Sequence, residues 1–491
     1  MNSSNERNAV RMILAAALSL MIVLVAQTSV AQSLEPQHNQ LLNGLRVLLW
    51  SRPGDQSVLL KLRIHSGAAF DMVGKEGSMA LLGDALFPDA ATHEYFKEEM
   101  GGRLDVTTDY DSITITLQGR ASDYDRIVDI LRSAIVTTPL SPENVAKVRE
   151  SRIKALNGAK RSPAEIADQA VAGRLFGTFP YARPVGGTVE SLARINRSDL
   201  MLARERFLNA SNATLAIVGG VDERRAMRAL RQLLGGWNKG NQVVPATFRQ
   251  PDSPNARPLI VESPGANTAE VRLAMRGLAR SDRDYFAAAL LAMIARDRWQ
   301  KLSPELSPSA TFVRHEAHFL PSIFVMGASV DNSSAAKTLE SARAALKSLV
   351  EAGVSATEME ALRARLNVPP NDPLRIPETI ADEWLDVDTH GLSSMTEQTR
   401  LRNSVSAADL QRVAARLFRD NTQAAVVVGN SAQLKANFAK GTIDVMGEDG
   451  QQKAKAAEQK PPKSPEPETK ATAPMSAVPA TKSTRAVTKP D

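Results

Sequence analysis

The 491-residue chain contains no cysteine, and aromatic residues make up only 4% of it. The missing thiols exclude disulfides, thiolate zinc sites, a cysteine nucleophile and a lipid-modified cysteine. No Gly-x-Ser-x-Gly elbow occurs, so nothing marks a serine hydrolase. Gly186-Gly187 and Gly219-Gly220 lack phosphate-loop spacing and read as turns. Histidine is scarce as well, with six copies at positions 38, 65, 93, 315, 318 and 390. Net positive charge is small where a fold is expected. The formal charge is +6, but Gly450–Asp491 alone holds eight Lys or Arg against four acids. The near-neutral remainder has no basic stripe of the kind nucleic-acid binding requires.

What is present starts with an export signal. Arg7 and Arg11 precede the apolar run Met12–Ala26, and the small-residue site Ser29-Val30-Ala31 follows. That layout predicts a signal over residues 1–31 and a periplasmic or secreted product. The run is shorter than the roughly 20 residues of a spanning helix, so cleavage is expected. Retention as an anchor, the alternative, is the only route to a membrane partner. At the other end, residues 441–491 are rich in Pro, Lys, Ala, Ser and Thr and poor in large apolar residues. Such a segment cannot bury enough surface to offset its ordering entropy, and a disordered tail is expected.

Between these ends lies a repeat. SDLMLARERFLNASNATLAIVGG (Ser198–Gly220) and ADLQRVAARLFRDNTQAAVVVGN (Ala408–Asn430) align without a gap, pairing Leu200 with Leu410, Phe207 with Leu417, Val218 with Val428 and Gly219 with Gly429. Both copies read as helix, polar turn, apolar strand and Gly turn. Duplicated domains over 32–237 and 259–440 follow, joined by a Pro-, Asn- and Gly-rich linker at 238–258. In the first copy, Leu45–Trp50 and Val58–Ile64 read as strands. GSMALLGDALF (Gly77–Phe87) and the residues near His93–Met100 read as helices. Leu104–Thr107 and Ile113–Leu117 read as a hairpin around TDYDS. Ser141-Pro142 and the capping box Ser162-Pro163-Ala164-Glu165 start further helices. Strands and helices run in clusters, which favours α+β over a doubly wound sheet.

LLNGLRVLLWSRPGDQSVLLKLRIHSGAAFD, GSMALLGDALF, EEMGGRLDVTTDYDSITITLQG, RLFGTFPYARPVGGTVESLARI and LAIVGG occur in this order. In them the chain resembles the insulinase, or pitrilysin-like, metallopeptidase family. The resemblance implies two homologous α+β domains forming a clam around a peptide. In catalytic members a helix carries His-x-x-Glu-His and a later helix a further Glu. Two imidazoles one turn apart plus a distant carboxylate give zinc three ligands and an open position for water, and the intervening Glu takes the water's proton. Setting Gly77 and Phe87 on the family's flanking Gly and Phe puts Ala80 and Asp84 at the histidines and Gly83 at the base. Counting back from Pro163 puts Ala155 at the distant Glu. A methyl group and a hydrogen neither ligate zinc nor move a proton, so no catalytic or metal residue is assigned and zinc is expected only in a partner subunit.

No other constellation replaces the motif. His315 and His318 are three apart in a segment read as a strand, where they face opposite sides. His93 reads as part of an exposed helix face near Asp84, and His65 as a packed or rim histidine. The resemblance makes Arg298 a candidate for holding substrate, although the family's tyrosine position falls at Thr311 or Phe312. It also makes Leu104, Asp105, Val106 and Thr107 a candidate edge strand for an extended peptide. The leading expectation is a noncatalytic homologue that pairs with a zinc-bearing insulinase-family partner to bind and degrade peptide. A periplasmic peptide-binding or assembly scaffold is the alternative, and an active zinc peptidase with relocated ligands is the third reading.

Overall fold

The computed structural model describes residues 35–241, 248–367, 376–438 and 443–447. The export-signal run and the chain beyond 447 lie outside these residues. Among the described residues no helix is long and apolar enough to cross a membrane.

Two six-stranded sheets repeat one topology. In the first, β1 (Gln37–Gln40), β2 (Arg46–Ser51), β3 (Ser57–Ile64), β4 (Arg103–Thr108), β5 (Ile113–Arg120) and β6 (Ala213–Gly219) take the order 1-2-6-3-5-4. In the second, β7 (Leu259–Glu262), β8 (Thr268–Arg276), β9 (Thr311–His315), β10 (Ile323–Asp331), β11 (Ala424–Gly429) and β12 (Asp444–Met446) take the order 12-7-11-8-10-9. Each sheet has a parallel inner pair, β2 with β6 and β7 with β11, followed by antiparallel strands on the β3 or β8 side, while the opposite edge differs, β1 running antiparallel to β2 and β12 parallel to β7. The repeat holds at single-residue register: Lys61 pairs with Ala216 across β3 and β6, and Arg272 pairs with Val426 across β8 and β11. The α+β duplication is therefore present in three dimensions. One boundary differs. Asp444–Met446, assigned from composition to the tail, pair in parallel with Leu259–Val261, because two apolar residues suffice to extend an edge already templated by β7.

Four helices position the site: α1 (Ser78–Leu86), α2 (Pro142–Gly158), α3 (Pro163–Phe176) and α4 (Pro377–Thr389). The expected capping box at Ser162 is formed, with the Ser162 hydroxyl accepting from the Glu165 N–H and the Glu165 carboxylate accepting from the Ser162 N–H. The Ser141 side chain caps α2.

Side chains of the inner strands alternate between two cores, as the pleat requires. On β3, Val58, Leu60, Leu62 and Ile64 face the helices of their own half, whereas Leu59 and Lys61 face α4, which arrives from the second half. Ile380, Trp384 and Leu385 of α4 pack there on Leu48, Leu59, Ala216 and Val218. The second sheet mirrors this. Val271, Leu273 and Met275 face inward, while Ala274 and Val426 meet Ala167, Val171 and Leu175 of α3, which belongs to the first half. Each half thus lends one helix to the other's open sheet face. A buried cation seals each exchange: Lys61 pairs with Glu378 and Asp382 of α4, and Arg272 pairs with Asp168 of α3 at 2.6 Å and with its own-strand neighbour Glu270 at 3.0 Å.

Candidate functional site

Helix α1 is fixed by its first turn. Gly77 precedes it at φ 91°, where an added Cβ would strike the Gly186 carbonyl at 2.8 Å, so glycine is required by both conformation and space. The Asp71 carboxylate accepts the N–H groups of Gly77 at 2.7 Å and Met79 at 2.9 Å, capping the helix where its dipole favours negative charge. Burial pushes the Asp71 carboxyl up to about 7 against the pull of those two donors.

Along α1 every side chain is buried except Asp84. Ala80 lies within the helix's packed face. An added Cβ at Gly83 would stand 3.2 Å from the Val106 methyl and 3.4 Å from the Thr108 hydroxyl on β4. The position of the family's general base has closed onto the neighbouring strand, so Gly83 reflects close packing as well as lost chemistry. Asp84, the surviving carboxylate, is paired with Arg152 of α2: Nε donates to Oδ2 at 2.8 Å and Nη2 stands 2.7 Å from the same oxygen. Burial raises the Asp84 carboxyl and the guanidinium draws it back, with burial the larger effect. Ala155, expected from counting to face this point, is exposed. The α2 residue that reaches Asp84 is Arg152, three positions earlier on the same helix face.

These residues do not fit zinc. The site offers one oxygen ligand where at least three donors are needed, and a guanidinium already supplies the countercharge beside it. Among the described residues no three His, Asp or Glu stand close enough to share an ion.

Residues 46–189 match the family described as insulinase, peptidase family M16, and residues 194–366 match the family described as the peptidase M16 inactive domain. The chain belongs to the M16 insulinase family. An uncharacterized zinc protease of Rickettsia bellii is 21% identical over 209 residues, covering 42% of this chain and 51% of the relative. The mitochondrial-processing peptidase subunit beta of Caenorhabditis elegans is 21% identical over 214 residues, covering 42% of this chain and 46% of the relative. The chain thus spans about half the length of the curated relatives it matches. The crystal structure of a protease from Helicobacter pylori superposes with a TM-score of 0.74 at 17% identity, covering 80% of this chain and all of that one, which establishes the fold.

The remaining residues of this M16 chain occupy distinct places. β4 is the outer strand of its sheet, so Leu104–Thr107 do form an edge. The edge is partly covered, because His93 Nδ1 donates to the Leu104 carbonyl at 3.1 Å and Arg103 binds Glu378 of α4. His93 therefore serves the strand and not Asp84. Arg298 has structural partners: its guanidinium donates to both Glu358 oxygens, the Ser348 hydroxyl and the Gly353 carbonyl, four of its five N–H groups. That bidentate lock holds Glu358 at about 2 and engages the guanidinium that the resemblance made a candidate for holding substrate. His315 ends β9 and accepts the Leu278 N–H at 2.9 Å, while His318 lies beyond the strand in a loop, against the sequence reading of both in one strand. There His318 meets Asp111 at 3.0 Å between Tyr110 and Tyr181. Burial is the largest single influence and would lower His318, but the Asp111 carboxylate, together with Asp109 and Glu316 nearby, outweighs it and the net shift is upward. Sequence reasoning missed Arg152. Its only signal was an arginine one turn from the expected ligand, on the face that α2 turns toward α1.

Proposed function

We propose that this M16 chain is a noncatalytic subunit that joins a zinc-bearing insulinase-family homologue and contributes peptide-binding surface, not chemistry, to peptide degradation. The observation that carries the reading is the Arg152–Asp84 pair standing where metal coordination would be required, with Ala80 buried and Gly83 pressed against β4. The name of the Caenorhabditis elegans relative describes that protein as a subunit, in keeping with a shared assembly. Export through the N-terminal signal would set the meeting in the periplasm, and the β4 edge would align an extended peptide by main-chain pairing.

The test is reconstitution. The chain alone is expected to leave a quenched peptide intact and to retain no stoichiometric zinc after dialysis, whereas the zinc-bearing homologue from the same genome co-purifies with it and gains activity on mixing. Asp84→Ala keeps that gain. Chelator-sensitive cleavage by the isolated chain would overturn the proposal, as would a homologue indifferent to its presence.

A further inference from the structure

Away from α1, the two halves enclose a cleft of about 760 Å³. Its floor is built where strands of the first sheet begin or end, with Arg46 at the start of β2 and His65 just past β3. Phe70 and Tyr181 from the first half and Phe319 and Leu320 from the second make apolar walls, and Asp388 at the end of α4 closes one side. The volume falls within the range of small-ligand sites, and a boundary between domains is where such sites concentrate.

The charges that face the cleft are unequal in availability. Both acids are engaged. Asp388 accepts from the Thr214 hydroxyl and pairs with Arg46 at 3.2 Å, and Asp111 accepts from the Phe319 N–H at 3.1 Å and binds His318. Arg46, although paired, remains 41% exposed. Lys239 stands exposed at the rim, and no described ion pair includes its ammonium.

The polar floor carries unpartnered polar atoms. Arg46 Nη2 can only donate, and it meets His65 Nε2 at 2.8 Å. The same Nε2 stands 2.9 Å from the Thr214 hydroxyl, so His65 is tied to both through one ring nitrogen. Burial together with the nearby Arg46 and Arg63 charges holds the ring neutral, down to about 3. His65 Nδ1 and the hydroxyl of Thr389, both on residues of the wall, are buried without a hydrogen-bond partner. Buried polar groups left unpaired are costly, and these two mark a part of the wall that a polar ligand group would complete.

We infer that this cleft is a binding site for an apolar carboxylate, its hydrocarbon or aromatic body between Phe70 and Phe319 and its carboxylate toward Lys239 and Arg46. The shared chemistry is that of a peptide C-terminus with large apolar side chains and of a medium-chain fatty acid. The inference is independent of any zinc-bearing partner and assigns no catalytic step.

The experiment titrates the intact chain by calorimetry and NMR with N-acetyl-Phe-Leu and octanoate, each beside its primary amide. The acids are expected to bind at least tenfold more tightly than the amides. Lys239→Met should weaken the acids about three- to tenfold and leave the amides unchanged. Phe319→Ala, at an exposed ring, should weaken acid and amide alike. Preference between the two acids identifies the natural source as peptide end or fatty acid. Equal binding of acid and amide, indifference to Lys239→Met, or no binding of either acid at millimolar concentration would each overturn the assignment.

Discussion

Reinstalling the missing motif is the sharpest test of how far the site has moved. The variant Ala80→His/Gly83→Glu/Asp84→His supplies the family's helix sequence in full. Ala80 lies in a packed interior, 3% exposed, and any side chain at Gly83 starts 3.2 Å from Val106. Forcing bulk into such positions costs roughly 1–3 kcal/mol each. The two together remove about 2–6 kcal/mol from a stability that is ordinarily about 5–15 kcal/mol. Relieving Gly83 of its low helix propensity returns only about 1 kcal/mol. Two imidazoles still lack a third donor, because α2 presents the Arg152 guanidinium and not a carboxylate. The expected result is a lower urea midpoint and no retained zinc, read by denaturation and by metal analysis after dialysis against the free ion. A variant with the parental midpoint and one tightly held zinc per chain would refute the packing argument.

Other expectations follow from the same interactions. Lys61 is nearly buried, while Glu378 and Asp382 reach water, so Lys61→Met should be close to neutral in urea unfolding. Glu378→Ala/Asp382→Ala strands an ammonium under α4 and should cost about 3–5 kcal/mol. Arg298→Ala should raise the Glu358 carboxyl from about 2 toward its ordinary value in an NMR titration. That depressed group contributes stability above its unfolded pKa, and the contribution disappears as pH falls through about 2. His65 and His315 are held down to about 3 and about 4, chiefly by burial. Their folded values lie below the unfolded value near 6.5, so the stability they lend is present at neutral pH and lost as acid is added. The loss is about 1.4 kcal/mol per pH unit for each below 6.5. His318, shifted upward, works the other way: its contribution is full in acid and fades as pH rises through its folded value. Asp71, raised to about 7, likewise gains in acid, so the test is the difference between variants: between pH 8 and 5, His65→Asn should lose less stability than the parent, and an identical pH dependence of the two would contradict the assignment of a neutral buried His65 ring.

Local patterns carried much of the fold. The alternation in β3 and β5, the Ser162 capping box and the ungapped repeat are written in neighbouring residues, and Ala216 and Val426 stand opposite the same kind of cation in both sheets. The vacated positions at Ala80, Gly83 and Asp84 were equally legible, since a missing donor is a property of the residue itself. What escaped depends on distant pairs. Arg152 meets Asp84 across 68 positions, Lys61 meets Asp382 across 321, and nothing in the periodicity of α3 or α4 announces that each covers the opposite sheet. The cleft escaped for the same reason, because Arg46, Phe319 and Asp388 converge only after the halves dock.

The reciprocal loan of α3 and α4 makes the chain indivisible in a particular sense. A fragment ending between the sheets would carry a helix with no sheet to cover and a sheet stripped on one side, a strong candidate for aggregation. Two complementary fragments produced together would each complete the other, so nicked protein should survive where isolated halves fail.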